Sequence, residues 1–306
     1  MGRFPATKLI AGFLVILAAA TAQEPEYRIR ADVKLVRLLA TVKDPSGELV
    51  GDLSKSDFQI SDNGVPQEVA IFERTTAQPL SVSVLVDTSS STATNLKYET
   101  DSVTRFLRAL FREGNVEDRA SLYSFSWEVA LELGFTRNLG RLEGALKRLK
   151  STGGTAMYDA LQFAGKHLQD RDGRRVIIIV TDGGDTVSAV KFADALEAAQ
   201  RSNAVIYPIL VVPITNGAGR NTGGEHALQT LAAETGGRVF TPNIGAGLDA
   251  AFDSILRDLR SQYLLAYYPK NVPQTKNRFH RVKVEIPNSS GLRISTRSGY
   301  YGDATP

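Results

Sequence analysis

No cysteine occurs among the 306 residues, and histidine (three), methionine (two) and tryptophan (one) are nearly as scarce. Without cysteine there is no disulfide framework, no thiolate metal site and no cysteine nucleophile. A metal ion would have to be held by oxygen or by histidine. The chain also lacks a strong charge of one sign, its formal net charge being +3. Arg3 and Lys8 fall in a segment read below as removed, which leaves about +1 and gives no support to a nucleic-acid partner. Beyond the N-terminus no apolar run approaches the roughly 20 residues that a membrane span needs. What is present is ordinary for a folded protein: 42% of residues are hydrophobic, and the length suits one large domain with a smaller companion.

Residues 1–22 have the layout of a secretory signal. Arg3 and Lys8 make a short basic start, Leu9 to Ala20 is uncharged and apolar, and Ala20-Thr21-Ala22 offers a small-x-small cleavage site. Cleavage after Ala22 is expected, giving an exported protein, periplasmic or extracellular. The alternative, an uncleaved anchor, is disfavoured because the apolar run is too short to span.

Residues 27–77 read as short strands and turns. Val33, Leu35, Val36, Leu38, Leu39 and Val42 are apolar, Asp44-Pro45-Ser46-Gly47 is a turn, and Asp62-Asn63-Gly64 is a second. From residue 79 the pattern changes to apolar strands alternating with helical stripes, which is the signature of a parallel sheet with crossover helices. The strands are Val82 to Val86, Ser121 to Phe125, Val176 to Val180 and Val205 to Val212. One helical face carries Val103, Phe106, Leu107, Leu110 and Phe111 and is closed by Gly114. Others carry Leu139, Leu142, Leu146 and Leu149; then Met157, Leu161, Ala164 and Leu168; then Leu248, Phe252, Ile255, Leu256 and Leu259. Glu128 to Phe135 follows Phe125 so closely that the two runs must form an antiparallel hairpin. Thr215 to Gly224 is the longest loop expected. Strands return at Tyr263 to Tyr268, His280 to Ile286 and Leu292 to Thr296. The expected fold class is therefore α/β: a doubly wound, mostly parallel sheet over 79–262 with one antiparallel edge strand. Residues 27–77 and 263–301 are expected to combine into a small β domain, since neither set alone makes a comfortable core.

The chemistry concentrates where strands of such a sheet end, since ligands bind there in open α/β folds. After Val86 comes Asp87-Thr88-Ser89-Ser90-Ser91, three alternate oxygens of a kind that a hard cation such as Mg²⁺ takes at about 2.1 Å. A capping loop before a helix is the plain alternative for that run alone. Two further loops add Thr155, within Ser151-Thr-Gly-Gly-Thr155, and Asp182, within Thr181-Asp182-Gly-Gly-Asp185. Taken together, Asp87-x-Ser89-x-Ser91, Thr155 and Asp182 resemble the metal-ion-dependent adhesion site of von Willebrand factor type A domains. The resemblance implies a Rossmann-like fold over 79–262 in which Ser89, Ser91 and Thr155 supply hydroxyl ligands and Asp87 and Asp182 hold metal-bound water. It further implies a divalent cation, Mg²⁺ before Mn²⁺ or Ca²⁺, and a protein partner that offers an Asp or Glu carboxylate. Asp185 is read as a helix cap, with a supporting place behind the metal ligands as the weaker alternative. The flanks, with Ser56-Asp-Phe58, Asp62-Asn-Gly64, Gln67-Glu68, Tyr267-Tyr-Pro269 and Gly299-Tyr300-Tyr301, are similar to those of a bacterial group of secreted type A-related proteins.

Enzymatic readings lack their parts. A phosphohydrolase opening on an aspartate needs a second acid two residues on, where Ser89 stands. There is no Gly-x-Ser-x-Gly elbow, and His167, His226 and His280 each read as surface residues. No catalytic residue is assigned. A metal-stabilised structural or chaperone-like envelope module is the remaining alternative. Trp127, in the hairpin turn, is either an exposed contact residue or a ring folded back on the sheet edge.

Overall fold

The computed structural model describes Gly2 and residues 35–302, apart from 75–76, 212–221, 244, 274 and 288. The proposed signal apart from Gly2, and Val33, lie outside the described residues, as does most of the expected 215–224 loop. The chain divides into residues 1–32 and 33–306, and every element below belongs to the second unit.

The chain begins with β1 (Val36–Lys43), β2 (Gln59–Asp62), β3 (Val65–Gln67) and β4 (Ile71–Glu73). The central layer follows as β5 (Leu80–Asp87), α1 (Leu96–Glu113), β6 (Arg119–Phe125), β7 (Val129–Thr136), α2 (Leu139–Leu146), α3 (Met157–Leu168) and β8 (Arg174–Thr181). It continues through α4 (Phe192–Arg201), β9 (Ala204–Leu210), α5 (Thr222–Thr235) and α6 (Ala246–Arg260). The chain closes with β10 (Tyr263–Tyr267), β11 (Phe279–Glu285), β12 (Arg293–Ser295) and β13 (Gly299–Tyr301).

The central sheet has the order β7-β6-β5-β8-β9, parallel except for the β6–β7 hairpin. Alternation along its strands makes two cores. Val82, Val84 and Val86 of β5 and Val176, Ile178 and Val180 of β8 face α1, α2 and α6. Leu85, Ile177 and Ile179 point the other way, to α3, α4 and α5. Strands buried on both faces carry few polar residues, which is why residues 84–86 of β5 and 176–180 of β8 read as apolar runs; the buried Ser83 of β5 pairs its hydroxyl with that of Ser121 at 3.0 Å. Pro208 is accommodated because β9 lies at the sheet edge.

The two chain ends form two four-stranded antiparallel sheets, β12-β1-β10-β4 and β13-β11-β2-β3. They enclose one core of Val36, Leu38, Phe58, Ile60, Tyr263, Leu265, Val282 and Val284. The doubly wound α/β sheet with its antiparallel edge, and the small β domain built from both flanks, are thus as the sequence pattern implies.

Two expectations change. The loop expected to reach Gly224 ends sooner, because α5 begins at Thr222. His280 is not a surface residue: its side chain is 14% exposed and its Nδ1 lies 3.1 Å from Oδ1 of the fully buried Asp62. The same carboxylate accepts the hydroxyls of Tyr267 at 2.8 Å and Tyr300 at 2.7 Å. His167 likewise has a partner, its Nδ1 standing 3.0 Å from the Tyr123 hydroxyl.

Candidate functional site at the strand ends

Asp87 closes β5 and is fully buried. Its Oδ2 accepts the Thr181 hydroxyl at 2.6 Å, and its Oδ1 accepts the Ser89 amide at 2.8 Å. Thr181 is the last residue of the neighbouring β8, so two adjacent strand ends are joined through one carboxylate. Ser89, also buried, places its hydroxyl 3.0 Å from that of Ser91, which is exposed on the 3-10 turn Ser90–Thr92. The Thr92 hydroxyl donates back to the carbonyls of Asp87 and Ser89, both at 3.0 Å, and so fixes the turn that carries the serines.

The loop before α3 is bonded to this turn. Thr152 N donates to Thr88 O at 2.7 Å, Ser90 N to Gly153 O at 3.1 Å, and the Ser151 hydroxyl to Ser89 O at 2.7 Å. Thr155, 4% exposed, is held in turn by the third loop. Its amide donates to the Thr186 hydroxyl and its carbonyl accepts the Thr186 amide, both at 2.9 Å. Asp182, half-buried, opens that loop. Asp87, Ser89, Ser91, Thr155 and Asp182 therefore sit on three mutually bonded loops at one end of the sheet. Neither the Thr155 hydroxyl nor the Asp182 carboxylate has a hydrogen-bonding partner among the described residues. Asp185 accepts the Tyr158 amide at 3.1 Å and so caps α3 from outside the helix.

Burial pushes the Asp87 carboxyl up to about 6, against the hydrogen bonds from Thr181 and Ser89, and the charge of Asp182 adds to the rise. Burial, then the charges of Asp87 and Asp182, push Glu99 up to about 8. This residue, on the first turns of α1, was not singled out by the motif. A signal for it existed, since it is an acid at the helical spacing of Val103, Phe106 and Leu110, on the buried face. No cluster of three His, Cys, Asp or Glu side chains fit to hold a metal occurs among the described residues. A cation here would rely on hydroxyl oxygens, which Ser89, Ser91 and Thr155 provide, with Asp87 and Asp182 for charge. The donor chemistry is that of a hard divalent ion.

Two glycines permit the close approach of these loops. Gly153 has φ +51°, and a Cβ there would strike the indole of Trp127. Trp127 is 62% exposed, and its ring lies on the loop carrying Thr155. Gly224 of α5 would strike the Gly183 carbonyl with any side chain.

A family profile for the von Willebrand factor type A domain matches residues 82–185. Among solved structures, the von Willebrand factor domain of the type V pili tip protein Mfa5 from Porphyromonas gingivalis is 17% identical. That match covers 60% of this chain and 95% of that one with a TM-score of 0.51. A von Willebrand factor type A protein from Catenulispora acidiphila is 13% identical over 87% of this chain and 73% of that one, TM-score 0.49. The conserved hypothetical protein BatB from Bacteroides thetaiotaomicron is 19% identical over 59% and 97%, TM-score 0.47. A search of the curated proteins finds no match.

Proposed function

Since the chain carries a von Willebrand factor type A domain, a fold typical of protein-interaction modules, we propose that it is an exported binding protein. On this reading it engages a carboxylate of its protein partner through a divalent cation. Ser89, Ser91 and Thr155 would hold the ion directly, and Asp87 and Asp182 through water. A cation ligated mainly by neutral hydroxyls retains attraction for an external anion, and this is the chemistry the ion would supply. The protein's own residues orient the site. Thr181 and the Ser89 amide fix the Asp87 carboxylate, Thr92 shapes the serine turn, and Thr186 fixes the backbone of Thr155.

The observation that carries the reading is the joining of three separate loops, through backbone and hydroxyl bonds, around five oxygen-bearing side chains in the expected order. The export component rests on residues 1–22 alone. No helix among the described residues is long and apolar enough to cross a membrane.

The test is isothermal titration of Mg²⁺ and Mn²⁺ into the metal-stripped protein, with Asp182→Ala as control and circular dichroism alongside. Saturable binding lost in the variant with the fold retained supports the site. An intact protein that binds neither ion refutes it, and unfolding on metal removal would favour a structural ion instead.

A further inference from the structure

Glu99 is fully buried, and neither of its carboxyl oxygens has a hydrogen-bonding partner among the described residues. Its charged neighbours are Asp87 and Asp182, both of its own sign. A buried carboxylate with no donor and no countercharge is among the most costly arrangements in a protein interior. Local structure gives it no role. Its amide bonds to the Asn95 carbonyl as ordinary helix backbone, and its side chain caps nothing. As packing, a leucine or methionine would serve the apolar stripe of α1 better. What the position lacks is a positive charge or a set of donors on the side where Asp87 and Asp182 stand. A hydrated divalent cation supplies both.

We propose that Glu99 is a third acid of the strand-end metal site, a positioning residue that accepts hydrogen bonds from the cation's bound water behind Asp87 and Asp182. The proposal rests on the metal-dependent reading above. The role is water-bridged on this proposal, since no group of three His, Cys, Asp or Glu side chains fit to hold a metal directly occurs among the described residues. Outer-shell acceptors of this kind orient the ligands of a metal and raise its affinity.

The test compares Mg²⁺ titration of metal-stripped wild type and Glu99→Gln, with thermal unfolding of each in the presence and absence of Mg²⁺. The expected result is a Kd for Mg²⁺ weaker by roughly 10- to 100-fold, with a smaller Mg²⁺-induced rise in Tm and an unchanged metal-free circular dichroism spectrum. If the amide is not tolerated, Glu99→Met makes the same comparison with an apolar side chain of similar length. Unchanged Mg²⁺ affinity in a folded variant overturns the assignment of Glu99 and leaves the five-residue site standing. Failure of the wild type to bind Mg²⁺ overturns the metal reading itself, and this inference with it.

Discussion

Raising the pH on the metal-free protein forces a charge onto Glu99 in a place with no partner to receive it. The carboxyl titrates at 4.5 in a model peptide and, because of burial and the two neighbouring acids, at about 8 in the fold. The folded state therefore binds this proton more tightly than the unfolded chain does. Stability from this group is fully present below pH 4.5 and is lost as the pH rises through about 8. At about 1.4 kcal/mol per pH unit, the loss across that window is on the order of 4–5 kcal/mol, or roughly 10 °C in Tm for a unit of this size. Asp87, raised from 3.8 to about 6, adds a loss of the same sign at lower pH. In Glu99→Gln the amide copies the neutral acid in shape and polarity. The variant should therefore track the wild type at the acid end and exceed its stability at the alkaline end, keeping only the Asp87 slope. The assay is urea unfolding in chelator at a series of pH values, followed by circular dichroism. Parallel pH–stability curves for the two proteins would refute the assignment of the uncompensated charge to Glu99.

Three other consequences are open to direct measurement. Asp62→Ala removes the acceptor shared by Tyr267, Tyr300 and His280 inside the β domain. It should cost about 3 kcal/mol or more in urea unfolding, since several buried donors lose their partner together. Gly153→Ala forces a side chain into a left-handed position and onto Trp127. A loss of about 1–3 kcal/mol is expected from the backbone alone, so the double variant with Trp127→Ala should recover only part of it. Trp127 is the sole tryptophan and lies on the Gly153–Gly154 segment beside Thr155. Its fluorescence should change saturably when Mg²⁺ is added, and the signal should be absent in Asp182→Ala.

What the sequence made legible follows from which side chains carry a pattern. The strands β5 and β8 are mostly apolar because both faces are covered, and α1, α3 and α6 show wide stripes of large residues. α4 gave no such stripe: its buried positions are Gln200 and the alanines Ala195, Ala198 and Ala199, whose small side chains allow Ala198 to approach Gly165 of α3. Burial there is achieved by closeness and not by bulk, and periodicity of large apolar residues cannot register it. α5 is missing from the helical stripes, and its start at Thr222 falls in a stretch rich in glycine and asparagine. At the strand ends, the five motif residues could be named because together they resemble the adhesion site of type A domains, and a doubly wound sheet brings the segments that carry them to the same edge. The residues that hold them were not nameable in that way. Thr181, Thr186 and Ser151 act through bonds to groups 94, 31 and 62 positions distant in the chain, and nothing local marks them. Glu99 differs from these, because its anomaly is local: a carboxylate on the buried stripe of a helix violates the pattern that identifies the helix. Local rules give way at functional positions more often than elsewhere, so a charged residue on an otherwise apolar face marks where a missing countercharge should be sought.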